Sequence, residues 1–183
     1  WDYHEPDLFY TFFGRGFNTE AGSPSLPTAE TVRRMMAPED VWPIGDVWCY
    51  HDWHMGVWGN LGAFMDSYRN AIDSMFGPSD NVDDFCKKAQ LVNYESYRAI
   101  FEAWNSRLWN NATGVLIWMS HPAWPSLVWQ TYSWDKETPG AYFGSKKACE
   151  PLHVQFDYVG HFVRVVNQSR CDYGNLTAVA EVF

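Results

Sequence analysis

The chain has 183 residues and a formal net charge of −9, and aromatic residues make up 18% of it, including eleven tryptophans. A chain of this length can bury a sizeable core, as one ordinary domain or as pieces of two. The negative charge and the lack of clustered lysine or arginine argue against nucleic-acid binding and against anionic membrane surfaces, and no apolar run reaches the length of a membrane span. Indole faces stack on sugar rings, so carbohydrate is an early candidate ligand.

Cysteines and glycosylation sequons give weaker indications. The four cysteines form no Cys-x-x-Cys pair, which disfavours a zinc site, and four scattered thiols do not make a disulfide scaffold. Residue 1 is not methionine and opens no signal-peptide pattern, so we expect an interior or processed piece of a protein. Sequons at Asn111, Asn167 and Asn175 are candidate N-glycosylation sites, and they slightly favour a secreted or vesicular protein.

A carboxylate follows an apolar, aromatic run near the N-terminus. Residues 8–17 are predicted to form a buried strand, and Glu20 follows among small residues where the chain must turn. A strand that brings one acid to its C-terminal tip presents it as a barrel enzyme presents a catalytic group. The alternative is an ordinary strand-end glutamate that points into water.

The next hundred residues alternate between irregular chain and helix. Residues 22–27 contain two prolines and are predicted to be irregular, and Thr28 is predicted to cap a helix over 29–36. Further helices are predicted over 61–76 and over 82–109, the second with apolar residues at helical spacing and therefore one buried face.

Residues 41–60 are predicted to form a long loop that carries several tryptophans. A loop so rich in aromatic side chains either packs over a site or forms part of one. His51, Asp52 and His54 raise the alternative of a metal site, but the spacing lacks a third convincing ligand and no metal is predicted. Structural or sugar-contacting roles are favoured instead.

A second strand–loop–helix unit follows. Residues 115–119 are a continuous apolar run, predicted to be a fully buried parallel strand, and a loop rich in proline and tryptophan leads to a helix over 140–149. This order, repeated twice, predicts right-handed crossover units on a parallel sheet and thus an α/β fold.

The pattern changes near residue 150, where we predict a domain boundary. Residues 153–157 and 162–166 alternate between apolar and polar side chains with a period of two, and residues 178–183 are also strand-like. They are predicted to be the opening strands of an antiparallel sandwich.

Six short motifs carry a family resemblance. They are Gly-Phe-Asn-Thr-Glu-Ala-Gly at 16–22, Pro-Thr-Ala-Glu-Thr-Val-Arg at 27–33, Trp-Cys-Tyr-His at 48–51, Lys-Ala-Gln-Leu-Val-Asn-Tyr-Glu at 88–95, Gly-Val-Leu-Ile-Trp at 114–118 and Ala-Cys-Glu-Pro-Leu-His-Val at 148–154. In this order and spacing, over nearly the whole chain, they resemble glycoside hydrolase family 2. The branch is that of exo-β-D-glucosaminidases, β-mannosidases and plant endo-β-mannosidases.

Members of this family are large retaining hydrolases in which sandwich domains flank a (β/α)8 barrel. The resemblance implies that residues 1–150 are the C-terminal part of that barrel, with its seventh and eighth strands, and that residues 151–183 begin the next, immunoglobulin-like sandwich. It implies that Glu20 is the nucleophile and that Trp118 is the aromatic residue under the sugar in the reactive subsite. No segment here matches the acid/base glutamate of the family, which is expected elsewhere in the same enzyme.

The chemistry agrees with these roles. A retaining glycosidase uses two carboxyl groups roughly 5 Å apart, one attacking the anomeric carbon and one protonating the leaving oxygen. Glu20 supplies only the first. His51 and Trp124 are predicted subsite contacts, and Asn18 is predicted to contribute to the environment that keeps Glu20 ionised. The predicted partners are an oligosaccharide or polysaccharide and the remaining segments of the enzyme, and no cofactor is predicted.

Three functions stay open from the sequence. The first is a β-glycosidase of the exo-β-D-glucosaminidase or β-mannosidase type, the second a non-catalytic carbohydrate-binding module, and the third an inactive scaffold subunit. A binding module needs aromatic platforms but no nucleophile, so Glu20 favours the enzyme, whereas a scaffold would lack the partner acid upstream. Trp118 has a structural alternative as well, because a tryptophan at the end of a barrel strand also packs well in a core.

Overall fold

Two small sheets and six α-helices make up the part of the chain that the structure, a computed structural model, describes: residues 2–53 and 63–181. In chain order the elements are α1 (Pro6–Leu8), a π-helical turn (Phe9–Phe13), β1 (Gly16–Ala21), α2 (Ala29–Met35), a 3-10 turn (Pro38–Asp40), α3 (Asp46–Tyr50), α4 (Ala63–Phe76), α5 (Val82–Asn105), β2 (Ala112–Ile117), α6 (Gly140–Ala148), β3 (Leu152–Asp157) and β4 (Phe162–Asn167). The predicted α/β class is confirmed.

The strand predicted over residues 8–17 is wrong. This segment forms α1 and the π-helical turn, and β1 begins only at Gly16. Pro6 stands in the first turn of α1, where the helix needs no backbone donor. Phe9 and Tyr10 are buried against the C-terminal half of α5, so a helical face accommodates the aromatic run that the sequence alone presents as a strand.

The predicted helices are confirmed, with changes at their ends. Thr28 caps α2 by accepting a hydrogen bond from the backbone N–H of Thr31, and Asn81 caps α5 by accepting one from the backbone N–H of Asp84. Helix α5 ends at Asn105 rather than at residue 109, because the chain then turns toward β2. Residues 61 and 62 of the helix predicted over 61–76 lie outside the described residues.

Helix α5 is the central element, and α6 crosses it closely. A Cβ atom on Gly140 would lie 2.1 Å from the carbonyl oxygen of Gln90, and one on Gly144 would lie 2.2 Å from that of Tyr94, so this approach requires glycine. On its other sides α5 contributes to two apolar clusters. Their largest buried members are Trp48, Trp53, Tyr68 and Phe85 in one cluster and Phe9, Tyr10, Ile100 and Trp104 in the other.

Strands β1 and β2 pair in parallel, as predicted. Asn18 lies opposite Val115, and Ala21 lies opposite Ile117. The prediction that the second strand is fully buried is wrong, because the side chain of Leu116 is 54% exposed. Only these two strands form this sheet within the described residues, so part of its apolar surface has no cover there.

Strands β3 and β4 form the predicted antiparallel hairpin. The face toward α5 is polar: His153 and Gln155 are buried, and the side-chain amide of Gln155 donates to the carbonyl oxygen of Glu102 at 2.8 Å. The outward face is apolar and exposed, with Val154, Phe156, Val163 and Val165. An apolar face that points away from the described residues is typical of one sheet of a sandwich.

The last predicted strand, over residues 178–183, is not formed by residues 178–181, which have no regular structure. Residues 182 and 183 lie outside the described residues, as do residue 1 and residues 54–62, which include His54. In the described ranges, no helix has the length and apolar character needed to cross a membrane.

Candidate active site

The carboxyl ends of β1 and β2 lie side by side and define the candidate site. The two strands run in parallel, and the backbone N–H of Trp118 donates to the carbonyl oxygen of Ala21 at 2.8 Å. Glu20 directly precedes Ala21. The predicted nucleophile is therefore one residue away from the strand position that is hydrogen-bonded to Trp118, the predicted sugar platform. Glu20 lies inside β1 rather than beyond its tip, since the strand extends to Ala21.

The carboxylate of Glu20 faces open space. Glu20 is exposed, and no side chain or backbone group among residues 2–53 and 63–181 forms a hydrogen bond to its carboxylate. Its backbone N–H donates to the side-chain oxygen of Asn18 at 2.9 Å. Asn18 therefore holds the backbone of the strand at Glu20, instead of contacting the carboxylate directly.

Trp118 presents its indole at the same edge. Trp118 is 43% exposed in the part of the chain that the structure describes. The peptide bond between Trp118 and Met119 is cis. The chain after Met119 then folds back beside it. The backbone N–H of Met119 donates to the carbonyl oxygen of Trp129 at 2.8 Å, and the backbone N–H of Thr131 donates to the carbonyl oxygen of Met119 at 3.3 Å.

A second group of predicted residues forms where this returning loop, residues 118–131, meets the C-terminal end of α3. The ring of His51 stacks on the indole of Trp124, with centroids 5.7 Å apart and an interplanar angle of 21°. The Nδ1 of His51 donates to the carbonyl oxygen of Pro125 at 2.7 Å, and the histidine is buried. Trp124 is 39% exposed, so one indole face rests on an anchored imidazole while the residue keeps access to solvent.

Tyr50 extends this aromatic cluster. Its ring meets Trp124 edge-on at 5.6 Å and His51 at 5.3 Å, and its side chain is 72% exposed. Tyr50 is not among the predicted site residues, although it directly precedes His51 in an aromatic run. Edge-on and stacked arrangements are the favoured geometries of aromatic pairs, and the exposed rings of Tyr50 and Trp124 offer an apolar surface here.

The irregular segment after Glu20, residues 22–27, is buried and is held by polar side chains of α5. Asn93 accepts a hydrogen bond from the backbone N–H of Leu26 and donates to its carbonyl oxygen at 2.8 Å. The hydroxyl of Tyr97 donates to the carbonyl oxygen of Ser23 at 2.9 Å, and burial raises the pKa of Tyr97, which keeps it a neutral donor. Asn93 and Tyr97 are not among the predicted site residues, although they stand four residues apart on one face of the helix.

The remaining predicted positions have no part in this edge. Among residues 2–53 and 63–181 no group of three or more His, Cys, Asp or Glu side chains is arranged to hold a metal ion. Asn111 is exposed in the turn before β2, and Asn167 is exposed at the end of β4. Asn175 is exposed and has a φ of 57°. All three sequon asparagines are therefore at the surface of the described chain.

The chain is similar to known glycoside hydrolases. It is 33% identical over 200 aligned positions to the mannosylglycoprotein endo-β-mannosidase of Lilium longiflorum. This alignment covers 100% of the chain and 20% of the Lilium protein. It is 39% identical over 175 positions to the exo-β-D-glucosaminidase of Streptomyces avermitilis. That alignment covers 92% of the chain and 19% of the Streptomyces protein. The resemblance to glycoside hydrolase family 2 is confirmed.

The backbone of the chain is also similar to solved structures of a related enzyme. The exo-chitosanase CsxA of Amycolatopsis orientalis matches with a TM-score of 0.78 and 30% identity, over 92% of this chain and 21% of that one. The complex of a variant of the same enzyme with PNP-β-D-glucosamine matches with a TM-score of 0.76 and 31% identity. No protein-family model matches the chain. The chain spans about a fifth of the length of the family 2 relatives.

Proposed function

We propose that this chain is the part of a retaining β-glycosidase that supplies the nucleophile and part of the sugar subsite. The enzyme is of the exo-β-D-glucosaminidase or β-mannosidase type, with Glu20 as nucleophile and Trp118 as sugar platform. The observation that carries the proposal is the hydrogen bond from Trp118 to Ala21. It holds an exposed indole beside the strand position that follows an exposed carboxylate, and in the proposed subsite both groups contact the same sugar ring.

The proposed reaction has two steps. The Glu20 carboxylate attacks the anomeric carbon, and the glycosidic bond breaks as an acid from another segment of the enzyme protonates the leaving oxygen. In the second step, the acid/base group from the other segment takes a proton from water. The water oxygen attacks the anomeric carbon, and the bond to the Glu20 carboxylate breaks. The sugar product keeps its β configuration because each step inverts it once.

Subsite roles follow from the ring geometry. Trp118 stacks under the reacting sugar, and Trp124, supported by His51, contacts a neighbouring part of the substrate. Asn18 contributes by fixing the backbone of Glu20. A net charge of −9 favours approach of a cationic glucosamine over that of a neutral mannoside, since an acidic surface raises the local concentration of cations.

The same proposal includes the architecture of the whole protein. Residues 1–150 form the C-terminal part of a (β/α)8 barrel, and residues 151–183 open an immunoglobulin-like sandwich. Two observations support this division: a parallel strand pair with uncovered apolar side chains, such as Phe17 and Leu116, and a hairpin whose apolar face points outward. The remaining segments of the enzyme cover both surfaces and carry the acid/base group.

Removal of the Glu20 carboxylate from the complete enzyme tests the proposal. Glu20→Ala should abolish hydrolysis of 4-nitrophenyl β-D-glucosaminide and of 4-nitrophenyl β-D-mannoside. Added azide should restore partial activity on the substrate that the native enzyme prefers, and the product should be the α-glycosyl azide, because azide attacks from the face of the lost carboxylate. Glu39→Ala, at an exposed glutamate in the 3-10 turn, is the matched control and should retain native activity.

Three results would contradict this assignment. A β-configured azide would identify Glu20 as the acid/base group, and near-native activity without azide would remove it from the mechanism. Retained binding of a chito- or manno-oligosaccharide by a native protein that hydrolyses neither substrate would indicate a carbohydrate-binding module instead. The exposed indoles of Trp118 and Trp124 are the observation that favours this second function.

A further inference from the structure

The hydroxyl of Ser25 joins the segment after β1 to the loop after β2. Its Oγ donates to the carbonyl oxygen of Gln130 at 3.0 Å, and the backbone N–H of Gln130 donates to the same Oγ at 2.9 Å. Both residues are buried, with 1% and 3% of their surfaces exposed. One serine therefore satisfies both backbone polar groups of a residue 105 positions away, as a neighbouring strand would do.

Gln130 is close to the candidate sugar platform through the backbone. The residues on either side of it, Trp129 and Thr131, both form backbone hydrogen bonds with Met119, which follows Trp118 directly. The bridge from Ser25 thus meets the returning loop at the point where that loop is fastened beside Trp118.

The Glu20 side of this bridge is fixed independently. Segment 22–27 is held to α5 by Tyr97 at Ser23 and by Asn93 at Leu26, on either side of Ser25. The β1–β2 ladder, ending in the bond from Trp118 to Ala21, joins the two halves of the candidate site along the strands, and the Ser25 bridge joins them a second time beyond the strand ends. The strand contacts alone allow the loop to pivot where it leaves β2, whereas a second attachment point defines both a separation and an angle.

We infer that Ser25 is a positioning residue that sets the placement of Trp118 relative to Glu20. The inference rests on the proposed function. A platform that shifts by about 1 Å presents the anomeric carbon at the wrong distance or angle, and misplacement of that size costs on the order of 100-fold in rate. Ser25 does not touch the substrate and acts only through the backbone of the returning loop.

Ser126 provides a matched control in the same loop. It is also buried, and its hydroxyl accepts a hydrogen bond from the side-chain amide of Gln130 at 2.7 Å. This contact stays within the loop and does not cross to the segment that follows Glu20. Ser25→Ala and Ser126→Ala therefore each delete one buried hydroxyl at Gln130, but only the first removes a link between the two halves of the site.

The test uses the complete enzyme and whichever 4-nitrophenyl β-glycoside it hydrolyses, at a temperature where all variants are folded by circular dichroism. Ser25→Ala should lower kcat by about 10- to 100-fold with little change in KM, and azide should not restore it because the nucleophile is still present. Ser126→Ala should stay within about threefold of the native enzyme, because no cross-link is lost. Ser25→Thr, which keeps the hydroxyl, should recover most of the rate.

Two outcomes overturn the inference, and they are distinguishable. If Glu20→Ala is inactive while Ser25→Ala and Ser126→Ala have equal kcat values, Ser25 does not position the platform and the proposed function stands. If Glu20→Ala keeps native activity, the proposed function fails and the inference fails with it. Should Ser25→Thr not fold, the comparison of the two alanine variants still decides.

Discussion

The Nε2 atom of His153 lies 2.8 Å from Oε1 of Glu102, and both side chains are almost completely buried. Glu102 also accepts hydrogen bonds from the hydroxyl of Tyr10 at 3.0 Å and from Nε of Arg98 at 2.6 Å. One carboxylate thus joins three elements: the N-terminal helical turns, α5 and the hairpin of β3 and β4.

Glu102→Ala should strongly destabilise the protein, because it leaves several buried donors without their acceptor. Loss of one partner of a buried ion pair costs about 3 to 5 kcal/mol. Urea unfolding of the complete protein measures this loss. Glu30→Ala removes an exposed partner of Arg34 on α2 and should change stability little. Equal midpoints for the two variants would show that the buried network contributes nothing beyond a surface pair.

Trp118→Ala should reduce kcat/KM by several orders of magnitude and lower the melting temperature only slightly, because the indole is half-exposed and, in the proposed function, orients the reacting sugar. Trp109→Ala is the control, since Trp109 is 87% exposed and lies before the opposite end of β2. Steady-state kinetics and thermal unfolding of both variants give the two quantities. A large fall in melting temperature with little kinetic loss would identify Trp118 as a core residue.

His51→Ala and Trp124→Ala should raise KM by similar factors, because the imidazole supports the indole against which the substrate rests in the proposed function. Residues in direct contact give non-additive effects, so the double variant should lose little more than either single variant. A double-mutant cycle on kcat/KM measures the coupling. Fully additive losses would mean that the two residues act on the substrate separately.

Asp135 should make stability depend on pH at the acid end. Burial raises the pKa of Asp135, but hydrogen bonds from Thr31 and Arg34 outweigh this and hold the pKa below its ordinary value. The unfolded chain therefore binds the proton more readily than the folded one. The stabilisation is present above the unfolded pKa of about 3.9 and is lost as pH falls through the lower folded value.

Asp135→Asn should accordingly lower the urea midpoint at pH 7 and make less difference near pH 2.5. Unfolding curves at both pH values test the sign of this change. Asp80→Asn, at an exposed position before α5, is the control and should have little effect at pH 7. A difference for Asp135→Asn that grows toward acid would contradict the depressed pKa.

The isolated 183-residue chain should self-associate and bind a dye that reports exposed apolar surface. Phe17, Leu116 and Phe156 are each more than 40% exposed, and the parallel sheet has only two strands among the described residues. Open strand edges and apolar faces promote association. Analytical ultracentrifugation and denaturant unfolding test this expectation, which a monomeric, cooperatively folding chain would contradict.

The sequence by itself determined the elements whose signals are local. Thr28 and the proline-rich segment before it mark the start of α2, and the helical spacing of apolar residues defines the buried face of α5. The period of two in residues 153–157 and 162–166 identified the hairpin. The family motifs identified Glu20 and Trp118 as candidates because each stands in a short run of fixed order.

Only the tertiary structure decided features that depend on distant residues. The aromatic run at 8–17 is helical because Phe9 and Tyr10 pack against α5, and no local pattern in that run reveals this partner. Ser25 and Glu102 are satisfied by hydrogen bonds to Gln130 and His153, which are 105 and 51 positions away. A buried polar residue is recognised by what satisfies it, and the chain brings those partners together only when it folds.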